Sequence, residues 1–304
     1  MEPASKQMKL EAGQDAKSRF NPVFQTYPVD NLYHFGLDTA NDPLEATFGD
    51  TRVVCMMGSP SRAEAFAKLL ADTIGAPAPA NLSKSDRCQL FKVGRIISMS
   101  HGMGSPSCLI FLHETAKLLF HAKVDLEKVS VIRLGTSGGV GVPGGTVVLA
   151  EQGMDACLQL GYERIALGRK TRETSVADAS LNDEIVSANK DLDFQLVKGV
   201  TIATNDYYDE QGRMDGALPV WYSEEEKISF LKKAHELGVR NMEMEATVFL
   251  WFFQRLGIRA AVACAALLNR LEGDQHAHSR EQIHDWSLRP QQVVLNYLKA
   301  QNFI

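Results

Sequence analysis

At 304 residues, 45% of them hydrophobic, the chain is long enough for one large α/β domain or two ordinary ones. A net charge of −5 excludes an overall basic surface for nucleic acid or anionic membrane, so a small anionic ligand needs locally placed arginines. The N-terminus is polar, no apolar run reaches transmembrane length, and Cys55, Cys88, Cys108, Cys157 and Cys264 show no metal spacing, so a soluble cytoplasmic protein with reduced thiols is expected.

Residues 1–28 read as a flexible lead-in and 29–304 as one domain. Residues 52–57 (RVVCMM) read as a buried strand, which Gly58-Ser-Pro-Ser-Arg62 turns into a helix reaching about residue 74. A loop spans 76–86, and two strands, 90–93 and 96–100, meet at Gly94. Ser105 and Pro106 suit a helix start, with Ser as cap and Pro at the first helical position, and the helix continues to about residue 121. Residues 129–134 form a β-branched strand ending in a glycine-rich turn, 135–139. A strand at 146–150 follows the Pro143-Gly144-Gly145 turn, and 194–203 is strand-like. Ser223 and Glu226 make a capping box for a helix to about residue 237. Residues 240–244 are short and extended, a helix covers 246–256, an apolar strand covers 258–268, and the final helix begins near Pro290. Strands and helices alternate without a repeat, which predicts a single α/β domain around a central sheet, with ligands collecting where strands end.

Four segments at such ends carry chemistry. In Gly58-Ser-Pro-Ser-Arg62 the glycine admits close approach to the backbone and the helix N-terminus offers free N–H groups to an anion, although a plain strand-to-helix turn reads the same way. In Arg133-Leu-Gly-Thr136-Ser137-Gly-Gly139 an arginine inside an apolar strand is costly unless it is paired. Either it grips a phosphate with Thr136 and Ser137, or it is bound to an acidic residue. In Asn241-Met-Glu243-Met244-Glu245 alternation places Glu243 and Glu245 on one face, where ribose hydroxyls would consume their charge; a solvated edge is the alternative. Adjacent carboxylates on one face do not make a glycosidase pair, which must flank the sugar. In Tyr207-Tyr-Asp-Glu-Gln211-Gly-Arg213, Gln211 offers a donor and an acceptor, Arg213 offers donors, and Tyr207 offers a stacking face, matching a uracil edge; alone, this is a polar loop. The eight histidines give no metal pattern, with His276, His278 and His284 falling in a polar loop.

In their order and spacing these segments resemble the nucleoside phosphorylase superfamily and, within it, the animal-type uridine phosphorylases. The resemblance rests also on Tyr33-His34-Phe35, Asp86-Arg87, Ser100-His-Gly-Met-Gly104, Gln211-Gly-Arg-Met-Asp-Gly216 and Leu268-Asn-Arg-Leu-Glu-Gly-Asp-Gln275. It implies a single domain with a mixed, distorted, barrel-like sheet flanked by helices, and phosphorolysis of uridine to uracil and ribose 1-phosphate. By the same resemblance Gly58, Arg62, Arg133 and Thr136 bind phosphate, joined by Arg87 from a neighbouring subunit. Met244 and Glu245 bind ribose beside Glu243, and His34 reaches the sugar of the neighbour's substrate. Gln211 and Arg213 read the base, with Tyr207 where the family stacks a phenylalanine. Arg62, Arg133 and Glu245 are the expected catalytic residues. The strand ending Ala265-Ala-Leu-Leu-Asn269-Arg270 lacks the Ser-Asp pair of purine-cleaving relatives, which favours a pyrimidine. Cys88 stands where bacterial relatives hold a cation with glutamate, so a homodimer without metal or cofactor is implied, phosphate being a co-substrate.

Overall fold

The computed structural model describes residues 16–275 and 277–304. In chain order its elements are β1 (Asn31–Leu32), β2 (Leu37–Asp38), α1 (Leu44–Phe48), β3 (Val53–Met57), α2 (Pro60–Ile74), β4 (Leu90–Val93), β5 (Ile96–Ser100) and α3 (Gly104–His121). There follow β6 (Ser130–Gly139), β7 (Val147–Met154), β8 (Tyr162–Ala166), β9 (Arg169–Glu173), α4 (Ala179–Ser187) and β10 (Leu196–Ala203). The chain ends with α5 (Glu224–Glu236), β11 (Val239–Glu243), α6 (Ala246–Leu256), β12 (Arg259–Asn269) and α7 (Arg280–Ala300).

Eight strands form one mixed sheet in the order β11-β10-β7-β12-β6-β3-β5-β4. Because β11 also pairs with β6, the five strands β11, β10, β7, β12 and β6 close into a barrel, and β3, β5 and β4 extend from it as an open wing. The α/β domain around a central sheet is therefore as the residues implied, and its barrel-like closure is as the resemblance implied.

The closure depends on glycine. β6 pairs with β12 along its length and with β3 along its first half, then bends so that Gly138 and Gly139 face Met242 and Asn241 of β11. A Cβ on Gly138 would lie 2.9 Å from the Arg270 side chain, and one on Gly139 would lie 2.9 Å from the Leu268 carbonyl. Only a residue without a side chain lets these strands approach. The glycine run expected to end the strand at residue 134 instead carries it to Gly139, because missing side chains serve close packing here as well as turning.

Helices cover the sheet on both sides. Apolar side chains of α3 and α6 pack with Val54, Met56, Val131 and Val262 on one face. Those of α2, α4 and α7 pack with Val53, Cys55, Ile132 and Ala261 on the other. Strands β3 and β5, and nearly all of β6, bury both of their faces, so they read as continuous apolar runs.

Several local expectations change. Residues 1–15 lie outside the described residues, but Phe20 and Phe24 are buried, with ring centroids 5.1 and 5.2 Å from Phe120; the expected lead-in is anchored where aromatic residues meet an apolar face. Helix α3 starts at Gly104, because the Ser105 hydroxyl donates to the Met244 carbonyl at 3.0 Å instead of capping. Helix α7 starts at Arg280, capped by Ser279, and carries Pro290 inside it. The exposed β8–β9 hairpin had no legible apolar period, and α4, capped by Asp178 with Leu181 and Ile185 buried one turn apart, was not among the expected helices. Of the histidine loop, His276 lies outside the described residues. No described helix is long and apolar enough to cross a membrane.

Candidate active site

Strand β3 delivers Met57 to Gly58, and the Ser59 hydroxyl accepts the Arg62 N–H at 3.3 Å, capping α2. The same hydroxyl accepts from Arg62 Nε at 3.2 Å, which aims the guanidinium back over the helix start. Burial and the neighbouring Arg133 charge both lower the pKa of Arg62. Two guanidinium groups kept in each other's field have the chemistry to attract an anion.

Arg133 lies within β6 and is 3% exposed. Its Nη1 meets Glu243 Oε2 at 2.8 Å and its Nη2 is bound to Glu245 Oε2. Burial opposes its charge, but Glu245 and Glu243 more than offset that and hold its pKa above the ordinary value. The carboxylates were expected on one face of an extended segment. Instead β11 ends at Glu243, and Glu245 begins α6 from a non-helical backbone position. They converge across this turn because Glu243 accepts the N–H groups of Glu245 and Ala246, the latter at 2.8 Å. Their first partner is Arg133, so the buried-pair reading holds and still leaves both carboxylates lining the cavity.

The two carboxylates titrate as a pair. Burial, with the Glu245 charge adding to it, pushes Glu243 up to about 7 against the pull of Arg133. Burial also opposes ionisation of Glu245, but Arg133 and the Gly104 N–H, which donates to Oε1 at 2.5 Å, hold it below the ordinary carboxylate range.

The loop after β10 supplies the far side. Thr204 Oγ1 accepts Gln211 Nε2 at 3.1 Å, fixing the amide with its oxygen free. The Arg213 guanidinium lies 4.1 Å from the Tyr207 ring centroid, so this ring is covered by its own chain on that side. A cavity of about 280 Å³ joins these parts. Gly58, Arg62, Arg133 and Thr136 line it together with Glu243, Met244 and Glu245, and so do Tyr207, Gln211 and Arg213. That volume suits a small molecule with several polar handles.

Two expected site residues lie outside the cavity of their own chain. His34 Nδ1 is 2.6 Å from Glu114 Oε1, and Arg87 is exposed, its guanidinium 3.8 Å from Asp86. Cys88 is buried beside the His34 carbonyl, and burial pushes its thiol up to about 11.

Sequence reasoning assigned no role to His101, Glu114, Thr204, Lys227, Arg270 or Asp274. His101 and Arg270 are fully buried, and Asp274 lines the cavity. His101, Arg270 and Asp274 lie within segments that carried the resemblance, which was the available signal. Glu114 and Lys227 sit on helices with nothing in their local pattern to mark them.

With this geometry the chain belongs to the phosphorylase superfamily, whose family model matches residues 52–299. It is similar to mouse uridine phosphorylase 1, at 40% identity over 92% of this chain and 91% of that one. It is similar in structure to the uridine phosphorylase of Schistosoma mansoni solved with uracil, with a TM-score of 0.89 and 40% identity over 94% of this chain and 99% of that one. It also shares 37% identity with the inactive uridine phosphorylase B of Schistosoma mansoni, over 90% of this chain and 93% of that one.

Proposed function

We propose that this chain is a uridine phosphorylase, a pentosyltransferase that converts uridine and phosphate reversibly to uracil and ribose 1-phosphate in pyrimidine salvage. The observation that carries this reading is one small cavity uniting two arginines, two carboxylates and a Gln–Arg pair.

Arg62 and Arg133 hold phosphate beneath C1′, with Thr136 and the Gly58 backbone adding hydrogen bonds. An oxygen of hydrogen phosphate bonds to C1′ as the C1′–N1 bond breaks, the electron pair leaves with uracil, and the proton that the phosphate gives up ends on uracil N1. Glu245 accepts from the ribose hydroxyls, with Glu243 and Met244 beside it, and its charge favours the oxocarbenium-like sugar. The Gln211 amide oxygen accepts from uracil N3–H while Gln211 Nε2 and Arg213 donate to the carbonyls, and Tyr207 borders the ring. Positioning and electrostatics carry the rate, and no covalent intermediate or cofactor enters.

We further infer a homodimer with shared sites, because His34 and Arg87 lie outside their own cavity. Each site would then be completed by His34 of the partner subunit and Arg87 of the partner subunit. A cytoplasmic location is supported by the free state of all five cysteines. The similarity to an inactive relative keeps a non-catalytic nucleoside binder as the second reading. Release of the free base from uridine, deoxyuridine, thymidine and inosine, each with and without phosphate, tests the proposal. Phosphate-dependent cleavage of the pyrimidine nucleosides, with inosine untouched, is expected. Cleavage without phosphate would identify a nucleosidase, and none at all would identify a binder.

A further inference from the structure

Behind the Gln211–Arg213 pair lies an ionic cluster of which the mechanism above uses only Arg213. Arg270 is fully buried, and its Nη2 donates to the Gln211 carbonyl at 2.8 Å and to Asp274 Oδ1 at 3.0 Å. Arg213 Nη1 donates to the Asp274 carbonyl at 2.7 Å, and the Met214 N–H donates to Asp274 Oδ2 at 2.9 Å. Lys227, from the first turn of α5, places Nζ 2.8 Å from Asp274 Oδ2, and both side chains are under one-tenth exposed. The lysine stem runs behind the glycine that separates the two base readers: a Cβ on Gly212 would lie 3.8 Å from Lys227 Cγ.

Three buried cations, Arg213, Arg270 and Lys227, face one carboxylate, Asp274, whose side chain is 9% exposed. The next carboxylate, Asp215, is 3.9 Å from Arg213 and one-quarter exposed, while Asp206 and Asp209 reach solvent. One cation remains unbalanced even if Asp215 is counted in full. Burial and the Arg213 charge lower the pKa of Arg270, as expected of two cations forced together. Fixed charge of one sign in a water-poor site acts on charge that develops there.

We propose that Lys227 is a positioning residue for the leaving base: by neutralising Asp274 it leaves the Arg213–Arg270 pair net positive toward the uracil that departs as an anion. This rests on reading the cavity as the uridine site. Without Lys227, Asp274 would draw down the field of both arginines. Without the Asp274 charge, that field would strengthen.

The test compares uridine with 5-fluoruridine, whose electron-withdrawing fluorine makes the better leaving group and so needs less help. In wild type, Lys227→Met and Asp274→Asn, the single-turnover rate at saturating phosphate is measured for both nucleosides. Lys227→Met is expected to slow uridine about tenfold and the fluoro analogue clearly less, raising the fluoro-to-parent ratio, as loss of transition-state electrostatics should. Asp274→Asn is expected to lower that ratio, whatever its effect on the absolute rates. A purely structural role would slow both nucleosides alike and leave the ratio unchanged in each variant, which overturns the proposal. Should Lys227→Met fail to fold, the Asp274→Asn ratio decides alone. Failure of the wild type to cleave either nucleoside would instead overturn the reading of the cavity.

Discussion

Arg133 sits between two carboxylates and the Arg62 charge, so its loss has two consequences. Removing it outright strands Glu243 and Glu245 in a buried site, which costs stability as well as activity. Arg133→Lys separates the two, because it keeps a cation but loses the planar fork. We predict a fall in kcat/KM of at least about a hundredfold with a cooperative thermal transition retained. Near-normal turnover at saturating phosphate would remove Arg133 from the mechanism. Gln211→Leu should leave phosphate binding intact, measured by calorimetry, while uridine cleavage drops by at least about a hundredfold, since a site built to hydrogen-bond an edge tolerates its loss badly. At this scale the sequence was informative where a residue violates its surroundings, as Arg133 does inside an apolar strand. It was silent where the violation is created by the fold. Lys227 looks like any helix-surface lysine beside Glu224, Glu225 and Glu226, and only the docking of α5 against the 270–275 turn buries it.

Among the elements, β5 and the turn before β7 carry the clearest consequences. His101 follows β5 and is fully buried, and burial, helped by Arg133, holds it down at about 3 against an ordinary value of 6.5. Between those values the unfolded chain binds the extra proton, so this group makes the folded state lose stability as pH falls from 6.5 toward 3. We predict that His101→Gln flattens the acid limb of stability, by up to about 1.4 kcal/mol per pH unit. Urea midpoints across that range would show it, and parallel curves for the two proteins would contradict it. Gly145 has φ +86°, and a Cβ there would lie 2.8 Å from Trp286 Nε1 and 2.4 Å from Arg289 Nη1, both on α7. Gly145→Ala should therefore cost about 1–3 kcal/mol through backbone strain and displacement of α7, with kcat/KM unchanged in the folded fraction. The elements that periodicity revealed are those with continuous apolar runs or side-chain caps, such as β3 and α5. β6 was read short because glycine marks both turns and close strand contacts. The start of α7 was misplaced because Pro290, a good first residue for a helix, is accommodated inside one.

For the whole molecule, the barrel brings together residues separated by more than a hundred positions, from Gly58 to Asp274. Composition and spacing placed these segments at strand ends, but only the β6–β11 closure brings Arg133 onto Glu243 and Glu245. Nothing local in the sequence encodes that closure; the collinear motifs supplied it through resemblance. A shared site makes a further prediction, since Arg87 and Arg133 would then serve different cavities. Arg87→Ala and Arg133→Lys, each nearly inactive alone, should recover activity when mixed under subunit exchange, up to about a quarter of wild type per total site in a symmetric pair. No recovery, with exchange verified by mass, would assign Arg87 to its own chain. The central claim is that phosphate, not water, takes the ribose. Phosphorus NMR of the protein with uridine and inorganic phosphate tests it directly. A ribose 1-phosphate signal growing in step with free uracil is predicted, whereas free ribose, or an unchanged phosphate signal with uridine intact, would contradict it.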